Sequence, residues 1–135
     1  MINPQIQELL DTVTVAGLAT VNADASPWAT AIHFTHDDQF FYWFSPESAT
    51  HSLNIARHAS ISLTVWSADE SQGLYGLYLQ SKAEKTDDLE TAKAAYIAKF
   101  KAFPESFAPY AAYRAPLGSI DPVRSNGKLW YLSHQ

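Results

Sequence analysis

Phe40-Phe41-Tyr42-Trp43-Phe44-Ser45-Pro46-Glu47-Ser48 is the stretch whose reading decides the fold. Alternate residues of a strand point to opposite sides, so five consecutive aromatics leave no polar face and predict a central strand covered on both sides. The residues that follow carry helix-start chemistry. Either Ser45 caps the helix with Pro46 as its first residue or Ser48 is the cap, and Leu53, Ile55 and Ala56 supply its buried side. A strand that delivers a helix N-terminus among hydroxyls is an anion site, because unpaired N–H groups and the positive end of the helix dipole face outward. Ser48, Thr50, His51 and Asn54 belong to this constellation, and His51 and Asn54 share one helix face. The same residues also have a structural reading: a serine that only caps, a solvent-exposed histidine and an asparagine that ties down a loop. Glu47 would repel a bound phosphate, which favours that second reading.

Outward toward the N-terminus, His36-Asp37-Asp38-Gln39 is a turn, and Trp28 to Thr35 is extended. Asn22 to Pro27 is a second turn cluster, and Val13 to Val21 is rich in β-branched residues, which together predict a hairpin. Asn3-Pro4 opens a short amphipathic helix with Ile6, Leu9, Leu10 and Val13 on one side. Toward the C-terminus, Ser60 to Trp66 alternates polar and apolar residues as a half-buried strand does, and Leu74 to Lys85 continues as a long strand. Asp87-Asp88 caps a helix to about Phe103, with Leu89, Ala92, Ala95, Tyr96, Lys99 and Phe100 along one side. Prolines 104, 109, 116 and 122 break up the next stretch, and Pro104 to Asp121 is expected to hold no regular element. Its Tyr110 and Tyr113 either plug a groove or gate a site. Asn126-Gly127 is a tight-turn signal and predicts a closing hairpin. The order of elements indicates an α+β fold built on an antiparallel barrel of about six strands flanked by short helices.

A length of 135 residues suits one domain, residues 1–135, with one core. With 9 Lys+Arg against 14 Asp+Glu the net charge is -5, so nucleic acid and anionic membranes are not expected as partners. The absence of cysteine excludes disulfides, thiolate zinc sites and a cysteine nucleophile. None of the five histidines (33, 36, 51, 58 and 134) pairs at metal-ligand spacing, so no metal is expected. The N-terminus has no export signal and no run is long enough to span a membrane, which places the protein in the cytoplasm. Five glycines without GxGxxG or a P-loop exclude a glycine-rich phosphate cradle. The 18 aromatics serve either a β-rich core or a site for a planar ligand.

Leu18-Ala19-Thr20-Val21-Asn22 with Ser26-Pro27, Thr30-Ala31-Ile32-His33-Phe34, Phe44-Ser45-Pro46-Glu47-Ser48 with His51 and Asn54, Ser60 to Val65, and Gly76-Leu77-Tyr78-Leu79-Gln80 with Ala83-Glu84 occur in one order. In that order and spacing the run from Val15 to Thr86 resembles the pyridoxamine 5'-phosphate oxidase-like family of FMN-binding split β-barrels. Leu129 to Leu132 fits the family's closing strand. The resemblance implies a homodimer with FMN at the subunit interface. The flavin ring would lie against Ala31, Ile32, His33 and Phe34, and the phosphate near Phe44, Ser45, Ser48, His51 and Asn54, with Tyr78 and Gln80 completing the cofactor-binding set. Ala49, Thr50 and His51 stand where many members carry Arg or Lys. The chain ends at Gln135 without the Arg- and His-containing segment of the true oxidases, so vitamin B6 oxidation is not expected.

The function expected is that of an FMN-dependent oxidoreductase acting between a small-molecule electron donor and acceptor. No side chain stands out as acid or base, so the flavin would carry the chemistry. The alternative is a dimeric, non-catalytic barrel that sequesters FMN or haem or carries no ligand.

Overall fold

The computed structural model describes residues 4–67, 75–125 and 128–134, with side chains described to Asp121. Helix α1 spans Pro4–Thr12, and β1 (Val15–Val21), β2 (Pro27–His33) and β3 (Thr35–His36) follow. Next come β4 (Phe40–Ser45), α2 (Thr50–Arg57), β5 (Ser60–Ser67), β6 (Tyr75–Lys82), β7 (Glu84–Lys85) and α3 (Leu89–Phe100). A 3-10 turn at Glu105–Phe107 leads to β8 (Ala111–Pro116), β9 (Ser119–Ser125) and β10 (Lys128–His134). The strands form a six-stranded sheet, β2-β1-β5-β6-β10-β9, and a four-stranded sheet, β3-β4-β8-β7. The two meet at corners where one extended run changes sheet. Phe34 separates β2 from β3, and Ala83 separates β6 from β7, its N–H bonded to Ala59 C=O at 2.9 Å. Both corner side chains are buried. The result is a split β-barrel with helices at its ends and side, an α+β architecture.

β4 explains the aromatic run. It lies between β3 and β8, and its alternate side chains enter two separate cores. Phe41 and Trp43 join the barrel interior, whereas Tyr42 and Phe44 join a cluster with Ala92 and Tyr96 of α3. Phe44 packs edge-on to Phe103 at 4.9 Å and Tyr96 lies 4.6 Å from Phe100, so the second core is mostly ring on ring. Ile6, Leu9 and Leu10 of α1 are buried against the first.

Several expectations need correction. Pro104 to Asp121 is not irregular, because β8 runs antiparallel to β4 from Ser45↔Ala111 to Phe40↔Pro116 and β9 begins at Ser119. Leu74 to Lys85 is not one strand: its end, Glu84 and Lys85, leaves the first sheet to pair with Arg114 and Tyr113. Ten strands are present among the described residues rather than six, and β10 runs parallel to β6. α3 ends at Phe100 with Lys101 in the left-handed conformation (φ 70°), three residues before the expected end. Leu89 lies exposed rather than along the buried side. The Asn126-Gly127 turn lies outside the described residues, but Ser125 and Lys128 pair on either side of it. No helix among the described residues is long and apolar enough to cross a membrane.

Candidate functional site

The sheet brings together residues far apart in the chain. Ala31 of β2 pairs with Gly17 of β1, Gly17 with Thr64 of β5, and Thr64 with Tyr78 of β6. The neighbouring row is Ala29, Ala19, Ser62 and Gln80. Directly paired residues project to the same side, and these rows lie on the outer face, since Leu18 and Leu63 between them point into the core. Ala31, His33, Tyr78 and Gln80 thus share one surface, 45 residues or more separating the first pair from the second. It is flat because its centre holds only the small side chains of Ala19, Ser62 and Thr64 with Gly17. Trp66 lies above Gly17, where a Cβ would stand 3.7 Å from its ring, and His33 meets Phe100 edge-on at 5.8 Å. Ile32 and Phe34, by contrast, face the core, where Phe34 stacks on Phe41 at 4.9 Å. Phe34 is closed to a ligand in its backbone as well, since its N–H bonds to Thr14 C=O and its C=O accepts from Lys99 Nζ.

The helix-start residues form a second group. Pro46 C=O accepts the Ala49 N–H at 3.1 Å, and this turn delays α2 until Thr50. Its N-cap is Ala49, with no side-chain cap, so neither Ser45 nor Ser48 performs the capping expected of it. The first intrahelical bond is Leu53 N–H to Ala49 C=O at 2.9 Å, which leaves the N–H groups of Thr50, His51 and Ser52 ahead of the ladder. Ser45, buried at the end of β4, bonds instead to His51 Nε2 at 2.8 Å. Burial holds the His51 pKa below its ordinary 6.5, so the ring is neutral at pH 7. Ser48 is exposed. The buried face of α2 is Ser52, Asn54 and Ile55, with Leu53 exposed, contrary to the expected Leu53, Ile55 and Ala56.

Asn54 is committed to structure. Its Nδ2 donates to Thr20 Oγ1 at 3.0 Å and Asn22 Oδ1 at 2.9 Å, while Oδ1 accepts from Arg57 Nη2 at 2.6 Å. Both amide hydrogens are used, so a ligand would meet Arg57 before Asn54. The i, i+3 spacing of Asn54 and Arg57 is the sequence signal for this contact.

Each of the two groups matches the chemistry of one part of a flavin. The flat outer face suits a planar ring, and the uncapped first turn of α2 with the Ser48 hydroxyl suits a phosphate, although Glu47 beside it is acidic. Three concavities described in the chain, of about 270, 240 and 340 Å³, contain none of the predicted cofactor residues. The predicted set is therefore an open surface in one chain.

An α+β split barrel with a flat outer sheet face and an uncapped helix at its rim defines the class. The chain belongs to the pyridoxamine 5'-phosphate oxidase family, whose model matches residues 2–119. No curated protein matches the sequence. Among solved structures, Atu2129 of Agrobacterium tumefaciens, a protein of unknown function, is 28% identical with TM-score 0.68, covering 79% of this chain and 49% of that one. The chain thus spans about half the length of that protein. HutZ, the haem storage protein of Vibrio cholerae, is 18% identical (TM-score 0.68, covering 84% and 88%). An FAD-binding protein of Mesorhizobium loti is 17% identical (TM-score 0.69, covering 86% and 87%). At such identities the last two show the shared fold.

Proposed function

We propose that the chain is a flavin-binding oxidoreductase, a single domain that takes FMN and works as a homodimer. The observation that carries this reading is the convergence of Ala31, His33, Tyr78 and Gln80 on one flat outer face of the sheet. Family membership supports it. In this reading the outer face holds the ring, the N–H groups of Thr50, His51 and Ser52 with Ser48 hold the phosphate, and Arg57 adds positive charge. When bound, FMN supplies hydride and electron transfer. The residues of this chain bind, orient and exclude water. β2 is the outermost strand of its sheet and leaves Trp28, Ala29 and Ala31 exposed, which supports a second copy as the cover that completes the site.

A non-catalytic haem or flavin carrier is the second reading. It is favoured by the turn before α2, where Ala49 and Thr50 supply no cation and His51 is neutral at pH 7. One experiment separates them: the visible spectrum as purified and after incubation with FMN, FAD or haemin, followed by reduction with NADH and NADPH. FMN bound and reduced faster than free FMN supports the first reading. Exclusive binding of haemin, or FMN bound yet reduced no faster than in solution, transfers support to the second. Failure to bind any of the three defeats both.

A further inference from the structure

Two concavities away from the outer sheet face share a wall. One, of about 340 Å³, is lined by Ser52, Ile55, Ala83 and Tyr113 among others, and the other, of about 240 Å³, by Asp87, Leu89, Pro109 and Tyr110 among others. Glu47 and Lys85 line both, and their ion pair, 2.5 Å long, spans the boundary. The pair is half-exposed or more on each side, so it is worth little and opens readily. Parting the pair joins the two spaces into one groove.

We propose that this groove binds a small cationic aromatic molecule, whose charge takes Lys85's place on Glu47 while a polar group reaches the Ser52 hydroxyl. Ser52 is 3% exposed and lines the larger cavity, and its buried Oγ has no hydrogen-bond partner. A buried hydroxyl left unpaired is costly, and the adjoining cavity is where a ligand can supply the missing partner. Tyr113, Ile55 and Ala83 give that cavity an apolar wall wide enough for a ring. Glu47, Glu84 and Asp87 outnumber Lys85 among the charged lining residues, so an anion is disfavoured. No residue of the outer sheet face takes part, and the one residue shared with the proposed phosphate turn, Ser52, is used here through its hydroxyl and there through its N–H.

The test uses benzamidine, benzamide and benzoate, alike in shape and different in charge, titrated into isotope-labelled protein and followed by NMR. Benzamidine shifts Ser52, Ile55 and Tyr113 saturably with a dissociation constant of about 1 mM, and benzoate binds at least roughly tenfold more weakly. Glu47→Gln weakens benzamidine by about fivefold and leaves benzamide unchanged, whereas Lys85→Met tightens benzamidine by freeing Glu47. Ser52→Ala weakens benzamidine and benzamide alike. The proposal is overturned if no saturable shift occurs at these residues, as when the cavity holds only water. It is equally overturned if benzoate binds as well as benzamidine, or if Glu47→Gln has no effect.

Discussion

Lys99→Met tests the least expected feature of the fold. Lys99 of α3 donates to three backbone carbonyls, Leu10 at 2.9 Å, Val13 at 2.6 Å and Phe34 at 3.1 Å, and its Nζ stands 3.7 Å from the Phe34 ring centroid. Two of those carbonyls close the C-terminal end of α1, where no intrahelical donor remains, and the third is at the β2–β3 corner. One ammonium therefore joins α1, the barrel corner and α3. Methionine keeps the apolar stem and removes the charge. Hydrogen bonds to charged groups contribute roughly 1.5–3 kcal/mol each, but taking the ammonium partly out of water offsets much of this, and we expect a net loss of about 3 kcal/mol. For a chain of this size that lowers Tm by roughly 10 °C. Urea unfolding at pH 7 and calorimetry measure it, and a loss below about 1 kcal/mol refutes the stapling role.

The pH dependence supplies an independent check. Burial pulls the Lys99 pKa down to about 8 from 10.5. Between those values the unfolded chain binds a proton that the folded chain does not, so stability relative to Lys99→Met rises with pH there and falls back as pH drops through 8. A constant difference over that window contradicts the burial argument.

Burial likewise lowers the pKa values of His36 and His51. Stability therefore falls as the pH drops from about 7 toward 5, and His36→Gln with His51→Gln flattens that slope in pH-dependent urea unfolding. If His51 contacts a bound phosphate, FMN affinity weakens as pH rises, within a window below 6.5; a flat fluorescence titration removes that contact. Asn54→Ala leaves the Arg57, Thr20 and Asn22 partners unmatched and costs about 2–4 kcal/mol by urea unfolding. A neutral result shows that the loop is held otherwise. Tyr113 is 4% exposed and lies 6.0 Å from Trp43 in a stacked arrangement, so it packs rather than gates, and Tyr113→Ala costs about 3–4 kcal/mol, read from Tm. Light scattering should report about twice the 15.0 kDa of one chain, and a monomeric mass at micromolar concentration refutes the homodimer.

Local pattern determined much of this molecule. Phe40 to Phe44 declares its two buried faces because side-chain direction alternates in any strand, whatever lies beyond it. Pro4 and Asp88 mark helix starts, and the alternation of Ser60 to Trp66 marks a half-buried strand, since capping and periodicity are properties of a few adjacent residues. The order of these pieces was enough to indicate a barrel and its family. Pairing between distant strands is another matter. β8 is Ala-Ala-Tyr-Arg-Ala-Pro, poor in β-branched residues, and it becomes a strand only because β4 offers it an unpaired edge. The corners at Phe34 and Ala83 arise because each run has one partner sheet before the break and another after it. Ala31 and Tyr78 meet on one face through the register of four strands, which no local window contains. Asn54 was legible as a polar residue on a helix, but Thr20, Asn22 and Arg57 were needed to show that its hydrogen bonds are already used. Lys99 read as one cation on a mixed helix face, and only tertiary packing put three orphan carbonyls around it.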